Sequence, residues 1–368
     1  MNEHKFFTPG RVNLIGEHID YNGGYVLPYT LEMGTTAVLK TRPDHKYSFT
    51  SANMPGNVVE IAPEGVQYDP AHDWANYPMG VLRLMMDDGH CIPGFDIHFD
   101  GNIPNGTGLS SSASIEVVTA RALNEVFALG YTMLDLVKLA QRAENQFCGV
   151  NCGIMDQFAV GMGLPGHAIY LNCDTLDYQH VPMHLGNYVL LVMNTNKPRA
   201  LATSKYNERR AECDAALKAI NEAIASGNTD ITPPLTHLAH LTPEQFAALA
   251  HHITDKTIRA RAHHVVHENY RVKQAITALE AGDMNKLGVL LVASHDSLRA
   301  DYEVTGTELD TLVAEALEHP ACAGARMTGA GFGGCAIALV EKSGVEDFAR
   351  AMVAGYEQMI GYAPTIYR

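Results

Sequence analysis

An α+β protein, with strands and helices mixed rather than regularly alternating, is the class this sequence predicts. Three observations point to it. Apolar strand-like runs bounded by glycine-rich turns lie near both ends of the chain, segments with helical-face spacing lie between them, and no regular βα repeat links the two. The 368 residues, 46% of them hydrophobic, suffice for two domains or one large one with a real core. The pattern is compatible with α+β without dictating a topology.

Val12, Leu14 and Ile15 precede Glu17-His18-Ile19-Asp20-Tyr21-Asn22-Gly23-Gly24, and Tyr25, Val26 and Leu27 follow it, so the first thirty residues read as strand, loop, strand. After Gly106-Thr107-Gly108, the segment from Ser110 places Ile115, Val118, Ala122 and Val126 on one helical face and stops at Gly130. A second helix is expected from about Met133 to Phe147, and a strand from Tyr188 to Met193. Near 226–256 the composition shifts to Pro, Thr and His. There Thr242, Pro243 and Gln245 form a helix start with a capping box, which suggests a helical insertion. Met327-Thr328-Gly329-Ala330-Gly331-Phe332-Gly333-Gly334 leads into Cys335 to Val340, a buried strand.

The formal charge of −15 disfavours nucleic acid and anionic membranes as partners, because both are gripped through excess Lys and Arg. Small molecules fit better. An ATP site stays open, since backbone N–H groups, a metal ion and a few basic side chains can supply local positive potential. Seven scattered cysteines read as reduced thiols, and Cys148 with Cys152 lacks a second pair to complete a zinc pattern. With no apolar leader at Met1 to Pro9 and no run near the ~18 apolar residues that span a bilayer, a cytoplasmic protein is expected.

Gly106, Gly108, Leu109, Ser110, Ser111, Ser112, Ala113 and Ser114 open a helix, where free N–H groups, the positive dipole end and several hydroxyls suit a phosphate. An ordinary serine-rich cap looks the same, and no P-loop lysine is present. The run from Gly329 to Gly334 formally matches G-x-G-x-x-G. It leads into a strand rather than a helix, and no His-Arg-Asp or Asp-Phe-Gly follows, so neither a dinucleotide site nor a protein-kinase loop fits. Close backbone approach to a bulky group and tight packing both remain open. Arg11, Glu17, His18 and Asp20 crowd one Gly-bounded loop, as either a solvated hairpin or a partner for sugar hydroxyls would. Asp156, alone in an apolar run, is either a helix cap or functional. The histidines at 251, 252, 263, 264 and 267 read as polar surface residues rather than metal ligands.

Taken in order, these segments resemble the galactokinases of the GHMP superfamily of small-molecule kinases, across nearly the whole chain. The run from Gly10 through Arg11 to Asn22 is specific to galactokinase-like proteins, and Gly108 to Ser114 is shared more widely. Gly153-Ile154-Met155-Asp156-Gln157, the run from Met327 to Gly334, Trp74-Ala75-Asn76-Tyr77 and Ser294-His295 complete the set. Ala330 departs from the pattern, standing where the family more often has glycine, and Asn105-Gly106-Thr107 has no clear counterpart.

The resemblance implies a two-domain α+β architecture: an N-terminal mixed-sheet domain over 1–182 and a ferredoxin-like C-terminal domain over 183–368, with the active site in the cleft between them. It implies a monomeric enzyme that transfers phosphate from ATP to the anomeric hydroxyl of galactose, the first committed step of the Leloir pathway. Glu17, His18, Asp20, Gly153, Asp156 and Tyr206 would face the sugar. The loop from Gly106 to Ser114 would wrap the phosphates, Trp74 and Tyr77 would flank the adenine, and Ser112 with Glu144 would hold Mg²⁺. Asp156 would take the C1 proton, with Arg11 keeping its carboxylate ionised. Kinases acting on N-acetylgalactosamine or a sugar acid share these motifs. A galactokinase-like sensor would have lost pieces of the phosphate loop that this chain retains in Ser112-Ala113.

Overall fold

A computed structural model describes residues 3–104, 106–197, 202–227, 231 and 234–368. Asn105, from the stretch leading into the phosphate loop, and residues 228–230, 232 and 233 of the expected insertion lie outside the described residues. Along the chain, β1 (Glu3–Asn13) is followed by β2 (Tyr25–Val26), β3 (Pro28–Thr41), β4 (Tyr47–Ser51), β5 (Val58–Ile61), α1 (Asn76–Asp87) and β6 (Phe95–Gly101). Next come α2 (Ser111–Phe127), α3 (Met133–Arg142), α4 (Met155–Met162), β7 (His167–Asn172), β8 (Tyr178–Pro182) and β9 (Tyr188–Asn194). The remainder is α5 (Ala202–Ala225), α6 (Pro243–Leu249), α7 (Lys256–Glu280), α8 (Met284–Ser297), α9 (Thr307–Glu318), β10 (Cys322–Thr328), β11 (Cys335–Glu341), α10 (Val345–Ile360) and β12 (Thr365–Tyr367).

These elements form two compact units, each discontinuous in sequence. One takes the described residues of Met1–Arg11, Thr30–Asn105 and Leu109–Pro165, the other those of Val12–Tyr29, Gly106–Gly108 and Gly166–Arg368.

In the first unit β3 pairs antiparallel with β6, β6 parallel with β4, and β4 antiparallel with β5, with β1 alongside β3. This mixed ladder alternates inward and outward side chains as a half-buried sheet must. Phe49, Phe95, Ile97 and Phe99 point to one face, where Met79, Leu82 and Met85 of α1 and Val118 and Leu123 of α2 cover them. Helix α3 does not run on to Phe147 as a regular helix. It ends at Arg142 and continues as a π-turn over Ala143–Phe147, an insertion that redirects the side chains after it and puts Glu144 in a buried position.

In the second unit a four-stranded antiparallel sheet is ordered β10-β11-β9-β12. Numbered within that sheet, the order is second, third, first, fourth, which is the ferredoxin-like arrangement, with α5 to α9 occupying the first crossover. Cys335 to Val340 are all buried, the expected outcome of an apolar run in a central strand. The expected cap of α6 is present: Gln245 N–H donates to Thr242 Oγ1 at 3.2 Å and Thr242 N–H to Gln245 Oε1 at 2.9 Å. In the same unit β2 and β8 flank β7, and Tyr29 pairs with Ala168.

Candidate active site

The serine-rich segment becomes the first turn of α2. Ser110 adopts a left-handed φ of 64° and its hydroxyl does not cap the helix, so the N–H groups at Ser111, Ser112 and Ala113 lack a cap from it. Gly106 and Gly108 lead in with φ of 72° and 71°. A Cβ at Gly329, itself at φ 81°, would stand 2.7 Å from the Gly108 carbonyl oxygen, so the two glycine loops meet only because Gly329 carries no side chain. The Leu109 carbonyl accepts from Arg11 N–H at 3.1 Å, tying the loop to β1. The serines diverge. Ser111 is exposed, and Ser110 Oγ is buried with no hydrogen-bond partner among the described residues. Ser114 Oγ points inward, 2.8 Å from the Thr8 carbonyl and 3.0 Å from Thr35 Oγ1, a packing role that membership of the motif did not reveal.

Ser112 turns toward a buried carboxylate cluster and hydrogen-bonds Glu144. Gln157 Nε2 donates to Glu144 Oε2 at 2.6 Å and lies 3.2 Å from Glu116 Oε2, while Glu116 Oε1 is buried with no hydrogen-bond donor among the described residues. Burial, and then the charge of Asp156, push the Glu144 carboxyl up to about 7; burial, and then Glu144, push Glu116 well above the usual carboxylate range. A divalent cation would relieve both. Hard hydroxyl and carboxylate oxygens, one of them lacking a donor, fit Mg²⁺. Glu116 and Gln157 were missed from sequence, although Glu116 lies four residues after Ser112 on the same helical face.

Asp156 is the second residue of α4, whose cap position is Ile154, so it is not the helix cap. Instead its Oδ1 accepts from Arg11 Nε at 3.0 Å and Nη2 at 2.6 Å, and its Oδ2 from Nη2 at 2.8 Å. Arg11 is 3% exposed, whereas the Asp156 side chain keeps 29% exposure, room for a ligand to reach it. Gly153, two residues before the helix, is buried. Trp74 is half-buried, edge-on to Phe99 at 5.9 Å, with its indole N–H buried and unpaired among the described residues. Tyr77 is the second residue of α1, and burial followed by the Glu144 charge pushes its phenol far up.

In the second unit the loop from Gly16 to Gly24 is held from several directions. Glu17 Oε1 accepts from Gly329 N–H at 2.8 Å and Thr328 Oγ1 at 3.1 Å, and lies 3.2 Å from Arg326 Nη2. His18 sits at φ 61° with Nδ1 2.9 Å from Tyr21 Oη and Nε2 3.2 Å from the Ala330 carbonyl. Burial lowers its imidazole to about 3, so the ring is neutral at pH 7, accepting from Tyr21 and donating to Ala330. Tyr206 packs at 5.5 Å from His18 and edge-on to Tyr21 at 5.4 Å; Asp20, partly exposed, begins a 3-10 turn. Glu268 Oε1 accepts from Gly16 N–H at 2.9 Å and Ser294 Oγ at 2.6 Å. Arg326, fully buried, donates to the carbonyls of Asn13 and Leu14. One of the histidines expected at the surface is internal: His264 is fully buried, with Nδ1 2.9 Å from Ser297 Oγ and Nε2 3.0 Å from the Glu17 carbonyl.

Three family models match: the GHMP kinases N terminal domain over residues 76–164, the galactokinase galactose-binding signature over 2–41 and the GHMP kinases C terminal model over 275–358. The chain is 51% identical to a galactokinase of Clostridium tetani, over 98% of this chain and 90% of that one. To a galactokinase of Streptococcus thermophilus it is 49% identical, over 99% and 92%. Among solved structures, Lactococcus lactis galactokinase complexed with galactose superposes with a TM-score of 0.95 at 46% identity, covering 100% of this chain and 92% of that one. Methanococcus jannaschii mevalonate kinase, at a TM-score of 0.70 and 17% identity over 100% and 97%, shares the fold. Identity sustained over almost the full length, with a family signature on the very loop that the buried network holds, places the chain in the galactokinase family of the GHMP kinases.

Proposed function

We propose that the protein phosphorylates α-D-galactose at its anomeric hydroxyl, using ATP and releasing ADP and galactose 1-phosphate. The observation that carries this reading is the pair of Arg11 and Asp156, a half-open carboxylate gripped through both oxygens by a buried guanidinium. Asp156 accepts the C1 proton as the C1 oxygen bonds to the γ-phosphorus and the bond from that phosphorus to the β,γ-bridging oxygen breaks. Arg11 keeps the carboxylate ionised and favours negative charge on the attacking oxygen. Glu17, His18, Asp20, Gly153 and Tyr206 form the sugar-binding set, with neutral His18 shaping the loop rather than supplying charge.

The N–H groups at the start of α2, with Gly106 to Gly108 before them, cradle the phosphates, and Trp74 and Tyr77 flank the adenine. Ser112 and Glu144 would hold Mg²⁺, which supplies charge neutralisation along the phosphates. The enzyme works as a cytoplasmic monomer. A coupled ADP-release assay across galactose, N-acetylgalactosamine, glucose, galacturonate and mevalonate tests the proposal. Galactose should exceed glucose in kcat/KM by about 10-fold or more, because one misplaced hydroxyl leaves buried partners unpaired. Comparable values for the two hexoses would overturn it.

A further inference from the structure

Away from the residues assigned to sugar and ATP, the second unit gathers Asp174, His237 and His240, whose ligand atoms all lie within 4.8 Å of one another. Asp174 occupies the turn after β7, its N–H donating to Asn172 Oδ1 at 3.0 Å. The two histidines border the 3-10 turn Leu238–His240. Asp174 Oδ2 is 3.2 Å from His240 Nε2, and Asp174 Oδ1 is 3.5 Å from His237 Nδ1.

Ring orientation argues for more than an ion pair. His240 Nδ1 lies 3.2 Å from Thr236 Oγ1, a hydroxyl that accepts an Nδ1–H when Nε2 is given to a metal ion. His237 Nδ1 is buried and makes no hydrogen bond among the described residues. Imidazole nitrogens and carboxylate oxygens thus converge within 4.8 Å of one another. We propose that Asp174, His237 and His240 bind a divalent transition-metal ion of the Zn²⁺ type, with a fourth position open to water. Two imidazoles and one carboxylate are a ligand set for Zn²⁺ or Co²⁺ and a poor one for Mg²⁺, so the site is chemically separate from the carboxylate cluster around Glu144.

The placement gives the ion a structural consequence. Cys173 N–H donates to the Gly24 carbonyl at 3.0 Å, and a Cβ on Gly23 would stand only 2.5 Å from His237 Cγ. Both ligand-bearing turns therefore abut the end of the loop that carries Asp20, and an ion joining them stiffens it.

The test uses tag-free, chelator-treated full-length protein titrated with Zn²⁺ by calorimetry and with Co²⁺ by visible absorption. About one ion should bind per chain, with Co²⁺ d–d bands and no thiolate charge-transfer band, and either Asp174→Asn or His240→Ala should weaken binding at least about tenfold. Zn²⁺ should raise the Tm of the wild-type chain and leave that of the folded double variant unmoved. Absent binding, binding that both variants retain, or a thiolate band placing the ion on cysteine would each overturn the assignment.

Discussion

In the first unit Glu116 and Glu144 face each other across one amide donor, Gln157, and their carboxyls are pushed up, Glu144 to about 7. In the second unit Glu268 is just as buried, yet Arg271 Nε donates to it at 2.7 Å, and Gly16 N–H and Ser294 also donate. Burial alone would raise Glu268; Arg271, His264, Arg326 and Ser294 outweigh it and hold the carboxyl at about 2. Identical side chains thus serve opposite ends. A buried carboxylate that the protein pairs with a cation is scaffold, here holding the loop from Gly16 to Gly24, whereas one left short of positive charge suits the ion site proposed above.

The largest effect expected is on chemistry. Asp156→Asn keeps a hydrogen-bond acceptor for Arg11 but lacks the basicity to take a proton, so single-turnover rate should fall by roughly 10²–10⁴ while galactose affinity and Tm change little. Near wild-type turnover in a folded variant would reduce Asp156 to a partner of Arg11. Removing the satisfied carboxylate should instead strike stability: Glu268→Ala strands Arg271 and the Gly16 N–H, a loss on the order of 3–5 kcal/mol by urea unfolding. KM for galactose should rise before kcat falls, and the reverse order would blur the contrast between scaffold and reaction centre.

The two regions should also respond oppositely to pH. Glu144 titrates higher folded than unfolded, so its contribution is present below the unfolded carboxylate value and lost as pH rises through about 7. Glu268 titrates lower folded, so its contribution is present above the unfolded value and lost only as pH falls through about 2. The Tm of metal-free protein should therefore drop by a few degrees between about pH 5 and pH 8, and Mg²⁺ with a nucleotide should restore more at the upper end. Equal restoration at both pH values would separate the cluster from the ion. The smallest effect belongs to Glu116→Gln. The amide mimics a protonated acid, so stability should move by less than about 1 kcal/mol, far below the loss from Glu268→Ala.

Legibility followed the range of the interactions. The capping box at Thr242 and Gln245, the buried strand from Cys335 and the helix that starts at Ser111 are settled by neighbours in sequence, and all were readable. The loop from Gly16 to Gly24 could be recognised, but not its supports: Glu268, Arg326 and His264 come from elements hundreds of residues away, and nothing local distinguishes them from surface charges. Within the motif, Ser112 and Ser114 look alike in sequence. The helical turn sends one to Glu144 and the other to Thr8. The π-turn that buries Glu144 was also invisible, because its residues carry ordinary helical spacing.

The contrast between a buried carboxylate paired with a cation and one held up by burial and a neighbouring charge is tested most directly by the Mg²⁺ dependence of Glu144→Gln, read as single-turnover rate against free Mg²⁺ at saturating galactose and ATP. Loss of one hard anionic ligand should raise the half-saturating Mg²⁺ concentration by about tenfold or more, with galactose affinity by calorimetry nearly unchanged. A Mg²⁺ titration that superposes on that of the wild-type chain would contradict the account and remove Glu144 from the metal site.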